Sequence, residues 1–409
     1  MGTSRVPALL ILFSAFLAAA GNGISMVAYP WLVLERTGSA TEASIVAGAA
    51  TLPLLFATLI AGTAVDFLGR RRVAILADAM SALTVAAIPA LVLTLGVGVL
   101  STAVLAALAA LGAFFDPAGM TARLSMLPEA ARRANWTLDQ TNSVYEAVFN
   151  LAYITGPGIG GLLIATLGGV NTMWVTAATF TLAILAMGAL RLHGTGRPEP
   201  DARPGGVISG VLEGLRFVWG NRVLRTIGLI ELAVTGLYLP MESVLFPKYF
   251  SDRDEPTHLG WVLMALSIGG LIGALSWTVL SRFASKRTTV LTAVTTFGAG
   301  ATAIAFLPPL PVILVLAVII GTVYGPIGPI YNSVMQTRTP APMRGRVVGV
   351  MTSMAYAAGP VGFIIAGPLV DAFGLTTAFL ALALPVLLIA IACLWVPALR
   401  ELDRNPADA

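Results

Sequence analysis

Twelve apolar runs can be drawn along this chain, over residues 8–34, 42–65, 73–95, 97–119, 140–168, 171–192, 224–250, 258–280, 288–307, 311–335, 346–371 and 375–397. A helix needs about 20 residues to cross a hydrocarbon core ~30 Å thick, and every run is long enough. In a bilayer each backbone N–H and C=O must be satisfied inside the protein, which restricts such runs to helices. The composition agrees: 57% of the 409 residues are hydrophobic and 11% are charged, where soluble domains carry about 25% charged residues. The expected fold is an all-α polytopic membrane protein with 12 transmembrane helices. The single cysteine, Cys393, lies in an apolar run, and the two histidines, His193 and His258, are far apart. A disulfide framework and a Cys/His metal cluster are thereby excluded. No metal site, no cofactor and no catalytic set of nucleophile, base and orienting residue is expected.

The net charge of +4 suggests a nucleic-acid partner until it is mapped. With both termini placed in the cytoplasm, all but Arg36, Lys248 and Arg253 of the 24 Lys and Arg fall in cytoplasmic segments. Glu35, Glu42, Asp252, Asp254 and Glu255 fall in outer loops. This is the positive-inside pattern of a multi-pass membrane protein, and it removes the nucleic-acid reading; Arg outnumbers Lys 22 to 2, which fits a high-GC bacterium and so a bacterial cell membrane. At the N-terminus, Arg5 and Ala18-Ala19-Ala20-Gly21 imitate a cleavable signal peptide. The apolar pattern runs on to Leu34, so this stretch is read as the first span.

Residues 193–223 form a polar, Pro- and Gly-rich linker between the sixth and seventh runs. Inside it Val207, Val211, Leu215 and Val218 recur at helical spacing, with Glu213 and Arg216 elsewhere on the wheel. The pattern predicts a short amphipathic helix on the membrane surface over 206–221. The halves also echo each other. Gly112-Ala-Phe-Phe-Asp-Pro-Ala-Gly119 is answered by Gly321-Thr-Val-Tyr-Gly-Pro-Ile-Gly328, and Gly156-Pro157 by Gly359-Pro360. Two pseudo-symmetric six-helix bundles follow, 1–192 and 224–409, the second ending in a short cytoplasmic tail. Repeats of this kind place a small-molecule site near the midplane. The molecule is expected to work as a monomer among membrane lipids.

Five acids fall inside or at the edges of the runs: Asp78, Asp116, Glu146, Glu231 and Glu242. A charge there is costly unless it is paired, hydrated or protonated, so each is a functional candidate. Asp78 and Asp116 are placed near cytoplasmic helix ends, and Asp116 is expected to pair with Arg70 in a structural or gating role. Glu231 and Glu242 are eleven residues apart, close to three helical turns, and so share a face with Thr235 and Tyr238. Either acid can carry a coupling proton, Glu242 first. The plainer reading of Glu231 is an ion pair with Arg225, and that of Glu242 is a pair with an outer-leaflet cation. Glu146 heads a stripe with Asn150, Tyr153 and Pro157 and is the third proton-coupling candidate. Asn22, Met26 and Tyr29 share one face of the first run, and Tyr324, Tyr331 and Asn332 lie in the tenth. With Tyr238 these read either as a cavity suited to bulky, often cationic amphiphiles or as ordinary core and lipid-facing side chains.

Two loop and helix motifs remain. Between the second and third runs stands Gly62-Thr-Ala-Val-Asp-Phe-Leu-Gly-Arg-Arg-Arg72. It is either a plain basic anchor or a latch in which Asp66 faces the positive end of another helix. Its counterpart after the eighth run, Gly273 to Arg282, has Trp277 in place of the acid and Leu280 in place of the second glycine. In the fifth run, Gly156-Pro157-Gly158-Ile159-Gly160-Gly161 combines a mid-helix proline, which bends a helix, with glycines that permit close packing.

Both motifs resemble those of the major facilitator superfamily. The loop is similar to Gly-x-x-x-Asp-(Arg/Lys)-x-Gly-(Arg/Lys), with Phe67 where the first cation stands. The fifth-run element is similar to the antiporter motif Gly-Pro-x-x-Gly-Gly. Phe115-Asp-Pro-Ala118, Leu127-Pro128 and Ala134-Asn135 resemble the superfamily's macrolide and siderophore exporters. The stretches 30–34, 237–249 and 345–353 are similar to its multidrug efflux transporters. The resemblance implies alternating access gated by Gly62, Asp66, Gly69, Arg70 and Asp116, with Asp66 facing the eleventh helix. It implies drug–proton antiport marked by Gly156, Pro157, Gly160 and Gly161. The implied cargo is tetracycline-like and aminoglycoside-type drugs; the alternative is an endogenous siderophore, lipid or metabolite with drugs as incidental cargo. The fourth-helix arginine of many such exporters has no counterpart in the run 97–119, which shifts weight to the acids of the fifth and seventh helices. No nucleotide-binding Walker sequence is present, so the energy source is expected to be an ion gradient, worth about 2.3 kcal/mol per charge per 100 mV in its electrical part.

Overall fold

The computed structural model describes residues 4–192, 207–340 and 343–403. Twelve of its helices or helical stretches are long and apolar enough to cross a membrane. In chain order the helices are α1 (Val6–Thr37), α2 (Ala40–Leu68), α3 (Arg70–Leu95), α4 (Thr102–Ala134), α5 (Leu138–Leu167) and α6 (Gly169–Ala189). There follow α7 (Val207–Gly220), α8 (Arg222–Pro240), α9 (Phe246–Ser251), α10 (Pro256–Leu280), α11 (Lys286–Ala305) and α12 (Leu310–Tyr324). The last are α13 (Ile327–Arg338), α14 (Arg344–Phe373), α15 (Leu375–Trp395) and α16 (Pro397–Arg400).

Local sequence sets the boundaries. Gly38, Gly69, Gly96, Gly168 and Gly374 stand at positive φ between helices, and Thr137 with Gln140 forms a reciprocal capping box at the start of α5. Three runs differ from their expected form. The fourth begins later and ends 15 residues later than expected, at Ala134, because Gly96 and a 3-10 turn delay it while a buried arginine prolongs it. The tenth is broken after Tyr324 by Gly325-Pro326. The seventh is interrupted by a π turn, Met241–Leu245, where the Phe246 N–H reaches back five residues to the Met241 carbonyl. Pro240 immediately precedes it and has no N–H to donate to the fourth residue back.

The residues form two compact units. One comprises Met1–Gly38, Ile45–Arg203 and Phe250–Gly260; the other comprises Ser39–Ser44, Pro204–Tyr249 and Trp261–Ala409. In the first, α5 lies backbone-to-backbone on α1: a Cβ on Gly156 would stand 2.9 Å from the Gly23 Cα and 3.1 Å from the Ala20 carbonyl. Gly161 abuts the carbonyl of Pro256 in the same way. The second unit repeats the device, with Gly362 of α14 against the Gly236 carbonyl of α8. That carbonyl is the one Pro240 leaves without a helical donor. At the end of α14 the Asp371 carboxylate caps residues 39–41, accepting from Ser39 Oγ at 2.8 Å and from the Ala40 and Thr41 N–H groups at 2.9 Å.

The linker helix α7 falls where the periodicity places it, but its faces differ. Val218 is buried, Gly214 rests on the Arg346 carbonyl of α14, and Glu213 pairs with Arg346. Leu215, expected beside Val218, is exposed together with Leu212 and Trp219. Val207 and the side chains before residue 211 lie outside those described, as does His193.

Replacing Gly156 by Val is expected to destabilise the first unit by about 2 kcal/mol, since overpacking a tight contact forces backbone shifts. Thermal unfolding in detergent checks this; an unchanged melting temperature would show that α1 and α5 do not require the contact.

Candidate functional site

Two buried polar clusters stand out, one in each unit. In the first unit, α1, α3 and α4 meet around an ion pair between Asp78 and Arg123. Both residues are buried, at 3% and 4% exposure, and Arg123 Nε also donates to Ser14 Oγ at 3.0 Å. Seven residues before Arg123, Asp116 accepts from Ser81 Oγ at 3.1 Å and from the Asn22 amide, and Tyr29 lies within electrostatic reach of it.

This cluster corrects two expectations. The fourth helix does carry an arginine. Arg123 falls beyond the run 97–119 because hydropathy alone treats it as a loop residue; α4 carries it inside, where α3 supplies Asp78 as its partner. Asp116 is held by Ser81 and Asn22 rather than by Arg70, and it lies near the middle of α4 rather than at a helix end. Of the loop cations, Arg71 donates to the Met187 carbonyl at 2.9 Å and to the Gly188 carbonyl, filling the open end of α6. Arg70 opens α3 after Gly69, whose φ of +88° suits glycine. The surroundings of Gly62 and of the Asp66 side chain lie outside those described.

In the second unit the acidic stripe of α8 is contiguous. Glu231 accepts long hydrogen bonds, both 3.5 Å, from Thr235 Oγ1 one turn on and from the Tyr324 hydroxyl at the end of α12. Arg225 bonds the Trp219 carbonyl at 3.0 Å, so the ion pair with Glu231 is not the arrangement found. Glu242 sits in the π turn, 8% exposed, and accepts from the Tyr238 hydroxyl. The acids are joined by rings: Tyr238 packs edge-on against Phe297 of α11 at 5.6 Å, and Phe297 lies 5.9 Å from Tyr324. Beside Tyr238 and Phe297 is an apolar cavity of about 20 Å³, also lined by Met241, Phe246 and Phe379. It has room for little more than one water.

The remaining candidates scatter. Met26 accepts from the Tyr153 hydroxyl at 3.9 Å, Glu146 is exposed on α5, and Asn332 is exposed on α13. Gly156, Pro157 and Gly160 face α1, while Gly161 faces the first turn of α10. Phe297 escaped the sequence reading altogether; it is an apolar residue in an apolar run, and only its neighbours mark it.

Comparison with known proteins places this geometry. The chain is 66% identical over 401 residues to "Multidrug efflux pump Tap" of Mycolicibacterium fortuitum, covering 98% of each sequence. It is 30% identical over 268 residues to "Enterobactin exporter EntS" of Escherichia coli, covering 63% of this chain and 60% of that one. Its fold matches the crystal structure of the nucleoside transporter NupG with a TM-score of 0.76, at 14% identity, over 95% of this chain and 98% of the other. The sequence profile of the Major Facilitator Superfamily matches residues 11–363 and 255–409. With twelve apolar helices and matches over nearly its whole length, the chain is a multi-pass membrane protein that belongs to the Major Facilitator Superfamily.

Proposed function

We propose that this chain is a proton-coupled exporter that exchanges protons for amphiphilic antibiotics, tetracyclines and aminoglycoside-type drugs among them, across a bacterial inner membrane. It works as a monomer with both termini cytoplasmic, by alternating access of two six-helix bundles, 1–192 and 224–409, joined by the linker 193–223. Similarity over nearly the whole chain to a multidrug efflux pump supports drugs as the cargo class. The observation that carries the coupling is Glu242, a carboxyl enclosed within a span and held, among the described residues, by the Tyr238 hydroxyl. A charge there is costly, and binding a proton relieves the cost. Glu242 is the proton carrier in this reading. The Asp78–Arg123 pair and Asp116 form a second charge centre that changes partners as the transporter turns over. Gly62, Asp66, Gly69 and Arg70 act as the gate, and Gly156 to Gly161 as the close-packed pivot of α5.

The test is uptake of a compound panel into proteoliposomes under imposed pH gradients. Accumulation of tetracycline that follows the gradient supports the reading; accumulation indifferent to it sinks the coupling. Similarity to an enterobactin exporter favours a second reading, export of an endogenous siderophore or metabolite. A deletion strain that retains such a compound, with unchanged drug susceptibility, would select it.

A further inference from the structure

The linker helix α7 is apolar on two sides. One side is packed on α14: Val218 is buried, and a Cβ on Gly214 would stand 3.0 Å from the Arg346 carbonyl oxygen and 3.1 Å from Val350 Cγ2. Glu213, next to Gly214, pairs with Arg346. On the other side Leu212, Leu215 and Trp219 are exposed, Trp219 by 52%. Their spacing of three, four and seven residues makes them one stripe, and exposed Arg216 adjoins it one turn from Leu212 and from Trp219. The chain fixes the level of this stripe. The seventh span begins at Arg222, and Asn221 alone separates it from α7. Asn221 Oδ1 accepts from the Val223 and Leu224 N–H groups at 3.1 Å, and Arg225 donates to the Trp219 carbonyl at 3.0 Å. Trp219 is therefore tied to the first turn of a span, the level at which indole rings settle in a bilayer. A helix lying in that interface sinks its apolar stripe about 5–10 Å into the headgroup boundary, and arginine forks match phosphate oxygens.

We propose that this exposed face of α7 is a docking surface for an anionic phospholipid of the adjoining leaflet. Leu212, Leu215 and Trp219 lie among the acyl chains, and Arg216 with the exposed Arg222 takes the phosphate. Continuity with the seventh span selects lipid over a protein partner, and the two arginines select a net negative headgroup. A zwitterionic headgroup carries its own cation beside the phosphate and gains less from them. The lipid acts on the second unit through the covered face: whatever seats α7 also holds the first turn of α14, through Gly214 and the Glu213–Arg346 pair. None of this depends on the exporter reading, which says nothing of lipid.

The experiment reads lipid contact at one point of the stripe. Cys393 is the single cysteine and is buried, so Cys393→Ala with Leu215→Cys leaves one exposed thiol for a bimane fluorophore. The labelled full-length protein is placed in phosphatidylcholine nanodiscs in which a rising share of the lipid is brominated phosphatidylglycerol or brominated phosphatidylcholine. Brominated phosphatidylglycerol is expected to reach half-maximal quenching at a mole fraction at least about fivefold lower, the attraction of one basic residue near a membrane surface. Arg216→Gln with Arg222→Gln is expected to erase that preference while both lipids still quench. Arg216→Lys with Arg222→Lys, which keeps the charge, is expected to retain most of it. No quenching by either lipid would take the stripe out of the bilayer and overturn the proposal. Equal quenching by the two lipids before the arginines are changed would overturn the anionic site, and so would an undiminished preference after both are changed to Gln. Because no transport is measured, the surface can fail while drug–proton exchange stands, and the reverse.

Discussion

Glu242→Gln is expected to reduce drug–proton exchange in proteoliposomes to the level of protein-free vesicles, while the protein folds and melts like the parent. Gln matches Glu in size and can still accept from the Tyr238 hydroxyl, so packing in the π turn is kept. What it loses is the ability to bind and release a proton. The neutral side chain permanently imitates the protonated state, so a cycle that must pass through the charged state stalls. Tyr238→Phe serves as the comparison: it removes the hydroxyl that donates to Glu242 but leaves the carboxyl, and slowed exchange with coupling retained is expected. Exchange at the parental rate in Glu242→Gln would remove Glu242 as carrier.

The second large effect concerns Asp78 and Arg123. Arg123→Met leaves a buried aspartate without its cation, and Asp78→Leu leaves a buried arginine without its acid. Each single change is expected to cost about 3–5 kcal/mol, the usual result of orphaning one member of a buried pair. The double variant removes both charges and is expected to recover most of that loss. The cycle therefore separates pairing from packing. Transport separates structure from function: the double variant is expected to fold and yet fail to exchange drug for protons. A folded double variant that transports at the parental rate would reduce the pair to a structural fastening.

Much of the architecture was legible because membrane helices announce themselves locally. Twelve apolar runs, the linker helix at 207–220 and the glycine–proline repeat all follow from composition and period within one segment. The stripe from Glu231 through Thr235 and Tyr238 to Glu242 was legible for the same reason, since i, i+4 neighbours on one helix touch. What failed to show was whatever depends on a second element. Arg123 looks like a loop residue until Asp78, 45 positions away, is seen beside it. Asp116 looks free to meet Arg70 until Ser81 and Asn22 are found on it. The break at Gly325-Pro326 is hidden by apolar flanks, and it ends α12 at the residue whose hydroxyl meets Glu231. The π turn needs both Pro240, which removes a donor, and Gly362, which backs the freed carbonyl.

The central claim is that one enclosed carboxyl couples cargo to protons, and the direct measurement is proton movement triggered by drug. Parent protein and Glu242→Gln are reconstituted in proteoliposomes loaded with a pH-sensitive dye, with no initial gradient, and tetracycline is added outside. The parent should move protons opposite to the drug, and Glu242→Gln should give no pH change. A pH change of the same size in both, or drug entry into parent vesicles with no proton movement, would contradict the account.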